Sequence, residues 1–170
     1  LSAIGWNEED IEDFRGQSGV RFAEGAYTMD FLTAGESEYV VRAHSITDNI
    51  NGLRLTEGRM PENDSECLVE SGKFGIGFKL TVAGSNPEST RKRFRHETFT
   101  VVGMVDSSMY INFERGSSSV GNGEIRAFVY LPKEAFDIEV YTEAYVRFDQ
   151  DFTIYSDEYD SYMDGREQQW

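Results

Sequence analysis

The chain has 170 residues, a formal net charge of −15 at neutral pH, 39% hydrophobic and 14% aromatic residues, and one cysteine. That size and apolar content suit one domain or two small subdomains with a real core. The acidic balance repels phosphate backbones and anionic lipid, which argues against nucleic acid as a partner. No apolar run approaches the ~20 residues of a membrane span, and the lone Cys67 excludes an intrachain disulfide. With no signal sequence opening at Leu1, a soluble piece excised from a longer protein is expected.

In chain order, Asn7 caps and Asp10 stands three positions on, while Trp6 and Ile11 have the spacing of a hydrophobic staple. A helix is predicted over Glu8–Arg15, closed by Gly16 and Gly19. Glu8, Glu9 and Asp10 sit where the helix dipole favours negative charge, so the cluster has a structural cause and is a poor metal site. Next, Val20 and Phe22 share one face, and Gly25 shifts the register to Tyr27, Met29 and Phe31. After a turn at Ala34-Gly35-Glu36, Tyr39, Val41 and Ala43 alternate with Val40, Arg42 and His44. This reads as one long bulged hairpin over residues 20–46, with His44 exposed.

The stretch from Leu53 to Glu70 reads as a fixed corner between two buried segments. Leu53 and Leu55 lead in, Gly58 and Pro61 break the chain, and Leu68 and Val69 lead out. Gly58 admits positive φ, Pro61 fixes its own φ, and Arg59 offers a planar fork to Glu66 or Glu70, a structural role. Cys67, in the second segment, is expected as a small core residue. Asn63-Asp64-Ser65 is a formal glycosylation sequon of a length that occurs by chance.

Glu57-Gly58-Arg59-Met60-Pro61 followed by Glu66 at the head of a strand resembles the extracytoplasmic core domain of MacB/FtsX-type ABC transporter permeases. Two further pieces are similar to that family: the glycine-led strand around Gly77, in Gly75-Ile76-Gly77-Phe78-Lys79-Leu80-Thr81-Val82, and the strand Phe99-Thr100-Val101-Val102-Gly103-Met104-Val105. The resemblance covers residues 45 to 110. It marks Gly58, Arg59, Pro61, Glu66, Gly77, Val101, Val102 and Gly103 as structural motif positions. Phe78 departs from the family, which usually has an acidic residue after the glycine.

The resemblance implies a non-catalytic domain on the outer side of a bacterial cell membrane. Its partners would be the membrane-embedded remainder of the permease, a separate cytoplasmic ATPase chain, and an extracellular protein or small-molecule substrate. The domain would engage that substrate or relay ATP-driven motion, and no cofactor is implied. The rival reading is a secreted or surface-anchored module that binds glycan or protein; a third, the least supported, is an acid-dependent hydrolase. An insertion between membrane helices also requires Leu1 and Trp170 to lie on one face, within roughly 20–30 Å.

Beyond the corner, strands are predicted over 78–82, 99–105, 109–113 and 125–131, one helical turn over 132–136, and a strand over 140–148. Ser156 caps a final helix carrying Tyr159, Tyr162, Met163 and Arg166 on one face. Arg91-Lys92-Arg93-Phe94-Arg95-His96 is a basic island in an acidic chain. It reads either as a docking spot for an acidic partner or lipid head groups, or as a solvated hairpin loop, the simpler reading. The Gly/Ser tract at 114–123 is the segment expected to be most mobile unless something packs on it. The expected fold is α+β, a mixed sheet with two terminal helices plus a smaller, mainly-β inserted subdomain. The division, 1–75 with 132–170 as a porter-like part and 76–131 inserted, is what the resemblance implies.

Motifs for chemistry are missing. His44, His96 and Cys67 do not form a zinc-ligand pattern, there is no G-x-S-x-G elbow and no P-loop, and Gly75-Ile76-Gly77 leads into a strand instead of a helix. Asp149 and Asp151 are calcium-capable carboxylates on a very acidic surface. Tyr27, Tyr39, Tyr110, Tyr130, Tyr141 and Tyr145 are a carbohydrate platform only if they meet, and otherwise ordinary sheet residues.

Overall fold

The computed structural model describes residues 5–107 and 116–149, and the fold is α+β. Helix α1, Glu8–Arg15, starts at a reciprocal cap: Asn7 Oδ1 accepts from the Asp10 N–H at 3.0 Å and the Asp10 carboxylate accepts from the Asn7 N–H at 2.8 Å. Its inward residues, Ile11 and Phe14, are buried, and Trp6 meets Phe14 edge-on with ring centres 5.0 Å apart.

Among the described residues nine strands follow: β1 Val20–Ala26, β2 Thr28–Thr33, β3 Tyr39–Ser45, β4 Leu53–Gly58, β5 Glu66–Glu70, β6 Lys79–Thr81, β7 Thr98–Ser107, β8 Ile125–Leu131 and β9 Glu143–Phe148. A short helix α2, Glu88–Arg91, precedes β7, and a 3-10 turn, Lys133–Ala135, follows β8. Strands β1 and β9 pair antiparallel as a two-stranded ribbon under α1. The others form one mixed sheet of seven strands, ordered β2-β3-β8-β5-β7-β4, with β6 beside the first half of β7. Pairing is parallel for β3 with β8 and for β5 with β7, and antiparallel elsewhere.

The central strands are covered on both sides, as continuous apolar runs require. Val41, Val69, Val101 and Val129 point into one core with Phe31, Phe94, Phe99 and Phe136, while Val40, Leu68, Phe128 and Tyr130 point into another on the opposite face. A third, smaller core joins α1 to the ribbon through Ile11, Phe14, Ala23 and Ala144.

Several expectations change. The run at 20–46 is two structures: β1 leaves for the ribbon, the chain breaks at Tyr27, and only β2 and β3 form the hairpin. Gly25 is needed for another reason, since a Cβ there would lie 2.1 Å from the Tyr141 ring. His44 is buried, because the face of β3 on which it stands is covered by the second core, beside Phe128 and Tyr130. Strand β4 is the sheet's edge and mostly exposed, so only the second arm of the corner is buried.

The sheet also runs across the boundaries at 75/76 and 131/132: β6, β7 and β8 are hydrogen-bonded among β2–β5, and the two sheets part at Tyr27 and again between the 3-10 turn and β9. The basic island lies in the long connection between β6 and β7, which pair antiparallel, but that connection is not wholly solvated, because Phe94 is buried and bridges Phe136. Residues 116–124 close on themselves through the Ser117–Glu124 bridge and a Ser118 N–H to Gly123 C=O bond of 3.0 Å, and Val120 packs on the second core. The strand at 109–113, the helix from Ser156, Tyr110, Asp151, residues 114 and 115 and the termini Leu1 and Trp170 lie outside the described residues.

Candidate functional site

Two places gather the residues that the sequence singled out. At the corner, the three motif stretches meet on β7. Gly58 pairs with Gly103 across β4 and β7, and the backbones approach so closely that neither admits a side chain. A Cβ on Gly58, whose φ is +77°, would lie 2.3 Å from the Val102 carbonyl oxygen, and one on Gly103 would lie 2.5 Å from the Arg59 carbonyl oxygen. The Arg59 N–H donates to the Val102 C=O at 3.1 Å, and the Gly77 N–H donates to the Val101 C=O at 2.8 Å. Val101 and Val102 themselves point into the two opposite cores.

Of the two carboxylates open to Arg59, Glu66 is the partner. The guanidinium donates through Nη1 and Nη2 at 2.7 and 2.6 Å, and the Glu62 N–H adds a third bond to Glu66 at 2.8 Å. Arg59, helped by that N–H, holds the Glu66 carboxyl down at about 2. Pro61 stands apart from the pair and lines a small hollow of about 240 Å³ with Met60, Ile46 and Pro132. Beside the corner Cys67 is fully buried, and burial pushes its thiol up to about 12, which leaves it inert. The arginine is thus held by Glu66 and the Met60 C=O, and the glycines lie in backbone contact.

The second place lies where the ribbon meets the large sheet, a cleft of about 510 Å³. Its floor is aromatic. The Tyr27 ring stands 5.1 Å from both Phe136 and Tyr141, and the Tyr27 hydroxyl donates to the Ile138 C=O at 3.1 Å. The Tyr141 hydroxyl donates to Glu8 at 2.7 Å, and burial, with Glu8, pushes its pKa up to about 12, so it stays protonated.

Lys133 places its ammonium 5.7 Å from the centre of the Tyr141 ring, and Arg95 joins it in the wall. The wall is built from chain segments brought together by backbone bonds: the Arg95 N–H donates to the Ala135 C=O at 2.9 Å and the Asp137 N–H to the Arg93 C=O at 2.8 Å. Among the described residues, neither Arg95 nor Lys133 has a carboxylate partner. Glu134, Asp137 and Glu139, all exposed, complete the lining. The cleft thus has aromatic rings at its floor and cations without a carboxylate partner in its wall; among the described residues no cluster of His, Cys, Asp and Glu suits a metal ion.

Sequence reading did not assemble this cleft. Its signals were present separately, in Arg95 of the basic island and in Tyr27 and Tyr141 among the six tyrosines. Of the others, Tyr130 is buried beside His44 and Tyr39 stacks on Phe74, so among the described residues these two do not join Tyr27 and Tyr141 in one platform. Also unforeseen was Glu24, a buried carboxylate that receives the Asn49 N–H at 3.0 Å and the Ile50 N–H at 3.2 Å and so ties the loop after β3 to the ribbon.

The fold has solved counterparts. The extracellular domain of the noncanonic ABC-type transporter YknZ from Gram-positive bacteria superposes with a TM-score of 0.56 at 16% identity, covering 92% of this chain and 78% of that one. The chain shares the fold of an extracytoplasmic ABC-transporter domain. The periplasmic region of MacB from Actinobacillus actinomycetemcomitans agrees, with a TM-score of 0.52 at 12% identity over 98% of this chain and 75% of that one. No protein-family model and no curated protein matches the sequence.

Proposed function

We propose that this chain is the non-catalytic extracytoplasmic domain of an ABC transporter permease. Its partners are then the membrane-embedded remainder of the permease and a cytoplasmic ATPase chain, and its task is to engage a substrate or to relay ATP-driven motion. What carries the reading is the fold shared with two such domains over nearly the whole chain. The path of the backbone supports it as well. The chain goes out along β1 and comes back antiparallel along β9, so that Val20 lies beside Phe148 and both strands leave the ribbon at one end. That is the geometry an insertion between two membrane helices needs. Among the described residues no helix is long and apolar enough to cross a membrane.

The test is the native gene product in its own cell. The reading expects the domain in the membrane fraction, resistant to alkaline carbonate, and co-purifying with a nucleotide-hydrolysing chain after mild detergent extraction. Recovery from the medium, or release from the surface without detergent, replaces it with the glycan- or protein-binding module.

A further inference from the structure

We infer that the cleft between the ribbon and the large sheet is a binding site for a small zwitterion of the amino-acid type that carries a flat apolar ring. Three features of the cleft point to one ligand chemistry. The floor of Tyr27, Phe136 and Tyr141 offers ring faces and edges, which bind a flat apolar group in preference to a polar or branched one. Arg95 and Lys133 are unsaturated cations in a chain with nearly two acidic residues for each basic one, 31 against 16, where a carboxylate partner would be easy to supply. They suit a carboxylate. Glu134, Asp137 and Glu139 on the exposed side suit an ammonium group.

The net charge of −15 decides between a zwitterion and a simple anion. A field of that sign opposes the approach of an anion, whereas a neutral zwitterion meets no such barrier and still places its carboxylate at Lys133. The volume, about 510 Å³, falls in the range of small-molecule sites and holds one aromatic amino acid with attendant water. The Tyr27 and Tyr141 hydroxyls are both engaged as donors, to the Ile138 C=O and to Glu8, which holds the rings of the floor in place.

The experiment is calorimetric titration of the 170-residue chain with L-phenylalanine, N-acetyl-L-phenylalanine, L-phenylalaninamide and L-alanine. The free amino acid is expected to bind, each capped form to bind about tenfold more weakly, and alanine, which lacks the ring, to give no heat. Lys133→Met and Arg95→Gln should each weaken phenylalanine about tenfold while leaving the melting temperature in place, since neither side chain holds the fold together. In amide NMR spectra the shifts on binding should centre on Tyr27, Lys133 and Tyr141. No binding at about 10 mM phenylalanine, equal affinity for either capped form, or full affinity in the Lys133→Met/Arg95→Gln double variant overturns the assignment.

Discussion

At the corner, Arg59 meets Glu66 through both ends of its guanidinium, and the backbones of β4 and β7 touch at Gly58 and Gly103. At the cleft, Arg95 and Lys133 have no carboxylate partner among the described residues, and Lys133 stands over the Tyr141 ring. Both places are partly exposed and both mix arginine with acidic residues. The difference lies in satisfaction: at the corner the guanidinium meets a carboxylate through both ends, while the cations of the cleft have none. A motif that stands out in a sequence can therefore mark the clasp of a fold, and the surface that binds can be assembled from residues that form no motif.

The sharpest way to break this contrast is at the glycines. Gly58→Ala puts a Cβ against the Val102 carbonyl and an alanine at positive φ, so a loss of about 2–4 kcal/mol is expected in urea denaturation. Gly103→Ala should behave alike. Gly25→Ala, on the cleft side, meets the Tyr141 ring, which Glu8 and Tyr27 hold in place, so a loss of about 1–3 kcal/mol is expected. Equal stability of Gly58→Ala and the parent would mean that the corner is not locked.

Next in size is His44, which sits under the sheet with Nδ1 3.0 Å from Thr28 Oγ1 and its ring between Phe128 and Tyr130. Burial lowers its pKa from 6.5 to about 4. Between those values the unfolded chain takes up a proton that the folded chain refuses. Stability is thus complete above pH 6.5, falls as the pH drops toward 4, and does not change further on this account below it. The loss should total about 3 kcal/mol, and His44→Gln should flatten that part of the stability–pH curve.

The ion pair at the corner gives a smaller effect, because Arg59 is half exposed. Arg59→Ala should lower the melting temperature by a few degrees. Glu66 titrates at about 2 in the fold against an ordinary 4.5, so its contribution is present above pH 4.5 and disappears as the pH falls to 2. In Arg59→Ala most of that acid dependence should vanish. Smallest of all, Lys133→Met and Arg95→Gln should change stability by no more than about 0.5 kcal/mol, the level of an unpaired surface residue. Substitution of an arginine thus costs stability at the corner and binding at the cleft.

Local signals in the sequence determined α1 to the residue, because a cap, a staple and a charged first turn all act within one or two helical turns. They also determined β3, β5, β7 and β8 and the burial of Cys67, where apolar runs leave a single reading, and offered Arg59 two carboxylates, of which the fold takes Glu66. Only the tertiary structure decided which strand pairs with which. Val20 finds its partner in Phe148 and Val40 in Ile125, across separations that no periodicity records. That choice sends β1 to the ribbon, puts β4 at an edge despite its leucines, and buries His44, whose polar alternation spoke for exposure. It also builds the cleft, because Tyr27, Arg95, Lys133 and Tyr141 lie in four separate stretches of chain that meet only once the two sheets pack together. Local preference reaches a few residues along the backbone. Which surfaces face each other is settled by the apolar area that all strands bury at once, a property of the whole chain.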